Sequence, residues 1–300
     1  DFSSVAAWEL GAVAIKAAVE RAKVPGDAID EVLMGNCLMA GQGQAPARQA
    51  MRKAGLPDSA GAVTLSKMCG SGMRAMMFGH DMLAAGSANA VLAGGMESMT
   101  NAPHLAFARK GIKYGAAQLY DHMAIDGLED AYERGKAMGV FAEQCVGKYS
   151  FSREAMDQFA IASTQRSKAA NEDGSFGWEM APVTIASPKG DTVVKFDEQP
   201  FKAKLDKIPT LKPAFKKDGA ITAATSSSIS DGAAALVLMR ESTAKKMGVT
   251  PIARIVAHAV HAQAPEWFTT APVGAIQKVL QRAGWDAKSV NLWEVNDASA

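Results

Sequence analysis

Cys69 ends a segment that opens with a short apolar run, Val63-Thr-Leu65. Small residues follow it, Gly70-Ser-Gly72, and then an amphipathic helix pattern begins. This spacing puts one thiol just past a strand and at the N-terminus of a helix. Unpaired N–H groups and the positive end of the helix dipole gather at such a place. They favour thiolate over thiol, and the thiolate is the nucleophile. The plainer reading is a small buried cysteine that happens to begin a helix, since free cysteines are among the most buried residues. The other two cysteines, Cys37 and Cys145, are far from Cys69 in sequence and no CxxC pair occurs. That argues against a zinc cage and against a dithiol redox motif. An odd count with no visible secretory signal fits free thiols in a reducing compartment. The five histidines, His80, His104, His122, His258 and His261, show no HExxH or other metal-ligand spacing. His258 and His261 follow a strand-like run without a carboxylate partner pattern and read as core or surface imidazoles.

The elements that must position Cys69 are legible as alternating patterns. Val5, Trp8, Ala12, Ile15 and Val19 step by three and four, which predicts a helix with one buried face and Ser4 as its cap. Glu31–Gly35 and Val63–Ser66 read as strands, Cys69 onward as a helix running to Gly86, and Ala90–Ala93 as a buried strand ending in Gly94-Gly95. Gly41-Gln-Gly43-Gln-Ala-Pro46 is a loop into a helix that ends near Gly55; Pro46 in its interior and the missing third glycine argue against a dinucleotide fingerprint. Short unbroken apolar strands between helices predict an α/β core with a largely parallel sheet. From about Thr100 to Thr225 strand signals thin out, with one clear helix at about Ser152–Ala170. The lysine-rich span Lys202–Lys217 holds Pro209 and Pro213, which predicts irregular structure there. It reads either as a solvated segment or as a cationic rim for a phosphorylated substrate. The alternating pattern then resumes: strands at Ala234–Met239, Ile252–Ala257 and Val290–Val295, and a helix at Pro272–Ala283 with Gly284 at its end.

The 300 residues are 48% apolar and 21% charged, close to an average globular protein, with a formal net charge of +1. So small a charge provides no field to draw in nucleic acid or an anionic membrane, and no apolar run approaches the roughly eighteen residues of a membrane span. The expected setting is cytoplasmic, with no nucleic-acid or membrane partner.

Several local patterns together resemble the thiolase family. Ser66-Lys-Met-Cys69-Gly-Ser-Gly-Met73 is similar to the segment that carries the family's acyl-accepting cysteine. Gly94-Gly-Met-Glu-Ser-Met-Thr-Asn-Ala-Pro-His104 is similar to the next family signature. Asp126-Gly-Leu128, with Met138-Gly139 and Ala142-Glu143, resembles a substrate-lining loop. Leu211-Lys-Pro-Ala-Phe215 and Thr222–Ala235 resemble the segment that closes over coenzyme A. Trp293-Glu-Val-Asn296-Asp-Ala298 resembles the stretch that holds a catalytic asparagine. Five such blocks occur in family order over nearly the whole chain.

The resemblance implies an α/β layered αβαβα fold of two similar halves with a long inserted loop domain and an incomplete C-terminal half. Residues 1–98 and 230–250 would form the N-terminal half, 99–229 the inserted domain for CoA and substrate, and 251–300 the start of the C-terminal half. It also implies acyl transfer between thioesters: two acetyl-CoA joined into acetoacetyl-CoA, or the reverse thiolysis. Cys69 would be the nucleophile, Asn296 would hold an oxyanion-hole water, Ser227 would contact the pantetheine arm, and Leu128 and Met138 would line the acyl pocket. No metal and no cofactor are implied, because the CoA thioesters are substrates; a homodimer or homotetramer is. Without the resemblance, Ser227 reads as a loop serine and Leu128 and Met138 as core side chains.

The pattern also has departures. The family's Gly-His-Pro and Cys-x-Gly-Gly segments occur nowhere in these 300 residues, and the Arg-Thr-Pro motif of its first strand is absent. Cys37 and Cys145 lack the glycine context of the family's second cysteine. A piece of a chain roughly a quarter longer is the expected explanation. Ala137, Ala224-Thr225, Ser230 and Asp297-Ala-Ser299 stand where many members have His, Gly-Asn, Asn and Glu-Ala-Phe. These leave acyl-chain preference open, with a longer-chain 3-ketoacyl-CoA thiolase as one alternative. A non-catalytic acyl-CoA-binding protein is an alternative of another class. A condensing synthase fits less well because of the long insertion.

Overall fold

The structure, a computed structural model, describes residues 2–300. In chain order the regular elements are α1 (Ala7–Ala22), β1 (Glu31–Gly35), α2 (Pro46–Lys53), β2 (Gly61–Leu65), α3 (Ser71–Ala85) and β3 (Ala90–Ser98). The two-residue strands β4 (His104–Leu105) and β5 (Tyr120–Asp121) follow, then helices α4 (Met138–Tyr149) and α5 (Arg153–Glu172). The hairpin β6 (Val183–Ile185) and β7 (Thr192–Val194), the short α6 (Gln199–Lys202), β8 (Asp231–Met239), α7 (Glu241–Met247) and α8 (Ala271–Ala283) complete the order. The chain divides into two units: residues 1–131, 181–195 and 229–254, and residues 132–180, 196–228 and 255–300.

The first unit is built on a four-stranded sheet in the order β2-β1-β3-β8. β1 runs parallel to both β2 and β3, while β8 pairs antiparallel with β3 along its full length. Period-two alternation sorts the side chains of β1 and β3 between two cores. Val32, Met34 and Leu92 pack with Ala7 and Ile15 of α1 and with Ala47, Ala50 and Met51 of α2. Leu33, Val91 and Ala93, one residue out of step, pack with Ala75 and Leu83 of α3. Strands buried on both faces have no polar alternation to show, and for that reason they read as unbroken apolar runs.

β3 is longer than its apolar run predicts. Gly94 and Gly95 pair with Ala235 and Ala234 of β8, and the ladder continues to Ser98 opposite Asp231. α1 begins at Ala7, after an Ala6 cap, and not at Ser4. The Ala6 N–H donates to the Glu9 carboxylate at 2.9 Å, so the acidic residue of the first turn does the capping expected of Ser4.

The second unit is mostly helical. Ala142, Met156 and Ile221 form a small core, with Val146, Phe215, Ala220 and Ala300 against it. Ser152 caps α5 by accepting the Ala155 N–H at 3.1 Å, which confirms the helix predicted to begin there. α8 ends on Gly284 at φ 68°, a left-handed position suited to glycine. Two expected strands are not ladders. Ile252–Ala257 and Val290–Val295 form no strand among the described residues, with bends at Ile252 and Asn291, and Ile252 and Leu292 are 86% and 83% exposed. Apolar sequence alone gives an extended segment; a strand needs a neighbour to receive its backbone hydrogen bonds. The Lys202–Lys217 span is more regular than its prolines predict, since a 3-10 helix covers Leu205–Thr210 with Pro209 inside it. The Arg153 guanidinium holds this turn by donating to the carbonyls of Ile208 at 3.1 Å and Leu211 at 3.0 Å, while Asp157 pairs with it at 2.8 Å.

Candidate active site

Cys69 lies on the turn between β2 and α3 and is exposed. Met68, just before it, has φ 48°, a left-handed conformation that a long side chain rarely adopts. A tight reversal is thereby forced between the strand and the helix, and the cysteine sits at its crest. The fixed points of the reversal come from Ser71, the buried first residue of α3. Its hydroxyl accepts the Lys67 N–H at 2.7 Å and donates to the Met68 carbonyl at 2.6 Å. The Ser71 N–H reaches the same carbonyl at 3.0 Å. With the Met68 carbonyl drawn inward, the N–H of the same trans peptide, that of Cys69, points the opposite way.

Close packing brings α3 to this position. A Cβ on Gly35, the last residue of β1, would lie 2.6 Å from the Ser71 Cβ and from its carbonyl carbon. A Cβ on Gly95 would lie 3.4 Å from the Gly72 Cα. The N-terminal turn of α3 therefore rests on bare backbone at the end of β1 and at Gly95 within β3. The glycines of the Cys69 segment and of the Gly94-Gly95 segment are two sides of one contact.

A polar network supports the loop that follows β1. The Glu97 carboxylate accepts the N–H groups of Cys37 at 2.8 Å and Leu38 at 3.0 Å, and the Asn36 side-chain amide at 2.7 Å. Asn36 also donates to the Met96 carbonyl at 3.0 Å. The Cys37 thiol, half buried, reaches the Met68 carbonyl at 3.2 Å and the Ser71 hydroxyl at 3.5 Å. Burial pushes the Cys37 thiol above the ordinary cysteine range, against opposing hydrogen bonds from Ser71 and Ser66. Farther along, buried His122 lies 2.6 Å from Asp126 through Nδ1, and its Nε2 accepts the Ala40 N–H at 3.3 Å. With Nε2 an acceptor, the ring carries its proton on Nδ1.

Leu128 ends a single π-helical turn, Ala124–Leu128, and is 40% exposed. Met138 is the first residue of α4, half buried. Ser227 and the Asn296 segment come together within the second unit. The Ser227 N–H and hydroxyl both donate to the Ala298 carbonyl, at 3.2 and 3.1 Å, and the Ala300 N–H donates to the Thr225 carbonyl at 3.0 Å. Asn296 is exposed just before this pairing. Glu143 fixes the approach to it: its carboxylate accepts the N–H groups of Ala220 at 2.9 Å and Ile221 at 2.7 Å.

Sequence reasoning singled out the thiol but not its supports. Ser71, Asn36, Glu97 and the His122–Asp126 pair went unmarked as parts of the site, although Ser71, Glu97 and Asp126 stand inside the quoted segments. The one available signal was that Glu97 is the only acidic residue in its segment.

Comparisons agree with this geometry. Residues 1–242 match the family model of the N-terminal domain of thiolase, and residues 249–300 match that of its C-terminal domain. An acetyl-CoA acetyltransferase of Rhizobium meliloti is 45% identical over 300 residues, all of this chain and 76% of the relative. The mitochondrial acetyl-CoA acetyltransferase B of Xenopus laevis is 48% identical over 298 residues, 99% of this chain and 70% of the relative. Among solved structures, the Acat5 thiolase of Ascaris suum, in complex with coenzyme A, superposes with a TM-score of 0.94 at 39% identity, over all of this chain and 77% of that one. The acetyl-CoA acetyltransferase of Syntrophomonas wolfei gives 0.95 at 38% identity, over all of this chain and 75% of that one. With both family domains matched in order, the chain belongs to the thiolase family.

Proposed function

We propose that the chain carries the acyl-capturing step of an acetyl-CoA C-acetyltransferase, the reaction that joins two acetyl-CoA into acetoacetyl-CoA and CoA or runs the reverse thiolysis, through an acyl-Cys69 intermediate. The observation that carries this reading is an exposed thiol on a strained turn at the N-terminus of α3. Relatives named acetyl-CoA acetyltransferase, 45% and 48% identical, support the substrate.

The Cys69 thiolate attacks the carbonyl carbon of acetyl-CoA. Its sulfur bonds to that carbon, the carbonyl π pair moves to oxygen, and collapse expels CoA as thiolate. The acyl group stays activated as a thioester, so one hard step becomes two easier ones. The α-carbon of a second acetyl-CoA, whose proton ends on the expelled CoA thiolate to give CoA, then attacks the acyl carbon and releases the Cys69 thiolate. The outward Cys69 N–H is a fixed donor for the developing oxyanion, a kind of interaction typically worth about 3 kcal/mol. Asn296 would hold a water as a second such donor. Ser227, whose hydroxyl hydrogen is committed to the Ala298 carbonyl, would offer its lone pairs to the pantetheine arm. Leu128 and Met138 would supply apolar wall to a short acyl group. No metal or cofactor is needed, because the thioester carbonyl is already electrophilic. The substrates are acetyl-CoA or acyl-CoA and free CoA, and the assembly a homodimer or homotetramer. Three free cysteines fit a reducing, cytoplasmic setting.

The test is peptide mapping by mass spectrometry after incubation with isotope-labelled acetyl-CoA. The expected result is a labelled acetyl thioester on the peptide containing Cys69, lost in Cys69→Ala. Label on another residue, or none, would overturn the assignment.

A further inference from the structure

Ser71 is buried, 4% exposed, yet its hydroxyl is fully used within one turn. It accepts from Lys67 and donates to Met68, the two residues before the nucleophile. Nothing else described holds both sides of that reversal. The Cys37 thiol reaches only the Met68 carbonyl at 3.2 Å and the Ser71 hydroxyl itself at 3.5 Å, and sulfur is a weak donor. Met68 pays for its left-handed φ of 48° with local strain. A strained residue keeps its conformation only where its surroundings over-determine it, and here the Ser71 hydroxyl adds to the Ser71 N–H on the Met68 carbonyl and the Gly70 N–H on the Lys67 carbonyl, at 3.0 and 3.1 Å.

From this we infer that Ser71 is a positioning residue for acyl transfer: its hydroxyl fixes the Met68–Cys69 peptide and so the placement of the Cys69 thiol and N–H toward the thioester. The inference rests on the proposed role of Cys69. Loss of the hydroxyl takes one of the donors from the Met68 carbonyl, leaving it to the Ser71 N–H and the Cys37 thiol, and leaves the Lys67 N–H without its acceptor, so the turn loosens while the surfaces that bind CoA are untouched. The defect therefore falls on the rate of the bound complex and not on binding.

The experiment follows acetylation of Cys69 by acetyl-CoA in rapid-quench mixtures read by intact and peptide mass. Wild type, Ser71→Ala and Ser71→Cys are compared, with Cys145→Ala as a control outside the site. In Ser71→Ala the rate at saturating acetyl-CoA is expected to fall about 10-fold, in the range that small misplacements of reacting groups produce. The half-saturating concentration and the final acetylated fraction stay at wild-type values. Ser71→Cys, which keeps a weaker donor in place, falls between the two. A wild-type rate in Ser71→Ala overturns the inference. So does a fall that appears as a lower final fraction with an unchanged rate constant, since that is partial unfolding. Failure of the wild type to acetylate at Cys69 overturns instead the role assigned to Cys69, and the two failures are thus distinct.

Discussion

Three thiols share one chain, and their surroundings separate them. Cys69 is exposed at a helix start, whereas Cys37 and Cys145 are partly covered. Cys37 is the informative rival because its sulfur lies against the same turn, 3.2 Å from the Met68 carbonyl. Burial holds it above the ordinary cysteine range, so at neutral pH it is more protonated than a free cysteine. The thiolate is the alkylated form. Iodoacetamide at neutral pH is therefore expected to modify Cys69 first, with Cys37 and Cys145 lagging by about 10-fold or more. As pH rises, Cys37 labelling should continue to climb beyond the point where an ordinary cysteine levels off. Peptide mapping over a time course and a pH series measures both, and equal rates at the three sites in folded protein would remove the claim. The exposed place of Cys69 on a turn at a helix start was legible in the sequence because it depends on near neighbours. Its supports were not. Asn36 and Glu97 are 61 residues apart and meet only because β1 and β3 are adjacent and parallel.

Elements bring these residues together through contacts that leave no space for side chains. Gly35, Gly72 and Gly95 let the start of α3 lie on the end of β1 and on β3 at Gly95. Substituting Gly35→Ala puts a methyl 2.6 Å from Ser71, against backbone that cannot step aside. Overpacking of this kind costs roughly 1–3 kcal/mol, and here the displaced atoms are those of the nucleophile's turn. The expected outcome is a lower thermal midpoint together with slower alkylation of Cys69. An unchanged rate at Cys69 despite lost stability would show that the turn tolerates movement of α3. The core strands were readable as apolar runs, and Glu31–Gly35 appears with the bounds its residues predict. The extension of β3 through Gly94-Gly95 was not, because glycines carry no strand signal and the ladder there depends on β8, over 130 residues away. The reverse error came from Ile252–Ala257 and Val290–Val295, where apolar residues are present and the pairing neighbour is not.

At the scale of the molecule, the thiol and the residues proposed to handle CoA belong to different units: Cys69 to the first, Ser227 and Asn296 to the second. Acyl capture needs a sulfur nucleophile and a donor to the carbonyl oxygen, the roles proposed for the Cys69 thiol and its N–H. Carbon–carbon bond formation needs more. A proton must leave the α-carbon of the second acetyl-CoA, and another must reach the departing sulfur. The family resemblance gives both tasks to a cysteine in Cys-x-Gly-Gly, with a histidine in Gly-His-Pro to activate the nucleophile, and neither segment occurs among these 300 residues. General acid–base catalysis typically contributes about 100- to 10,000-fold. A protein of this sequence alone is therefore expected to acetylate at Cys69 yet show no steady-state cleavage of acetoacetyl-CoA by CoA. The measurement is the loss of acetoacetyl-CoA enolate absorbance at micromolar enzyme, run beside mass analysis of the same samples. Acyl-Cys69 without turnover would separate the capture step from the proton transfers. Sustained turnover would mean that other groups of this chain move those protons, and buried His122, already oriented by Asp126, would be the first to replace.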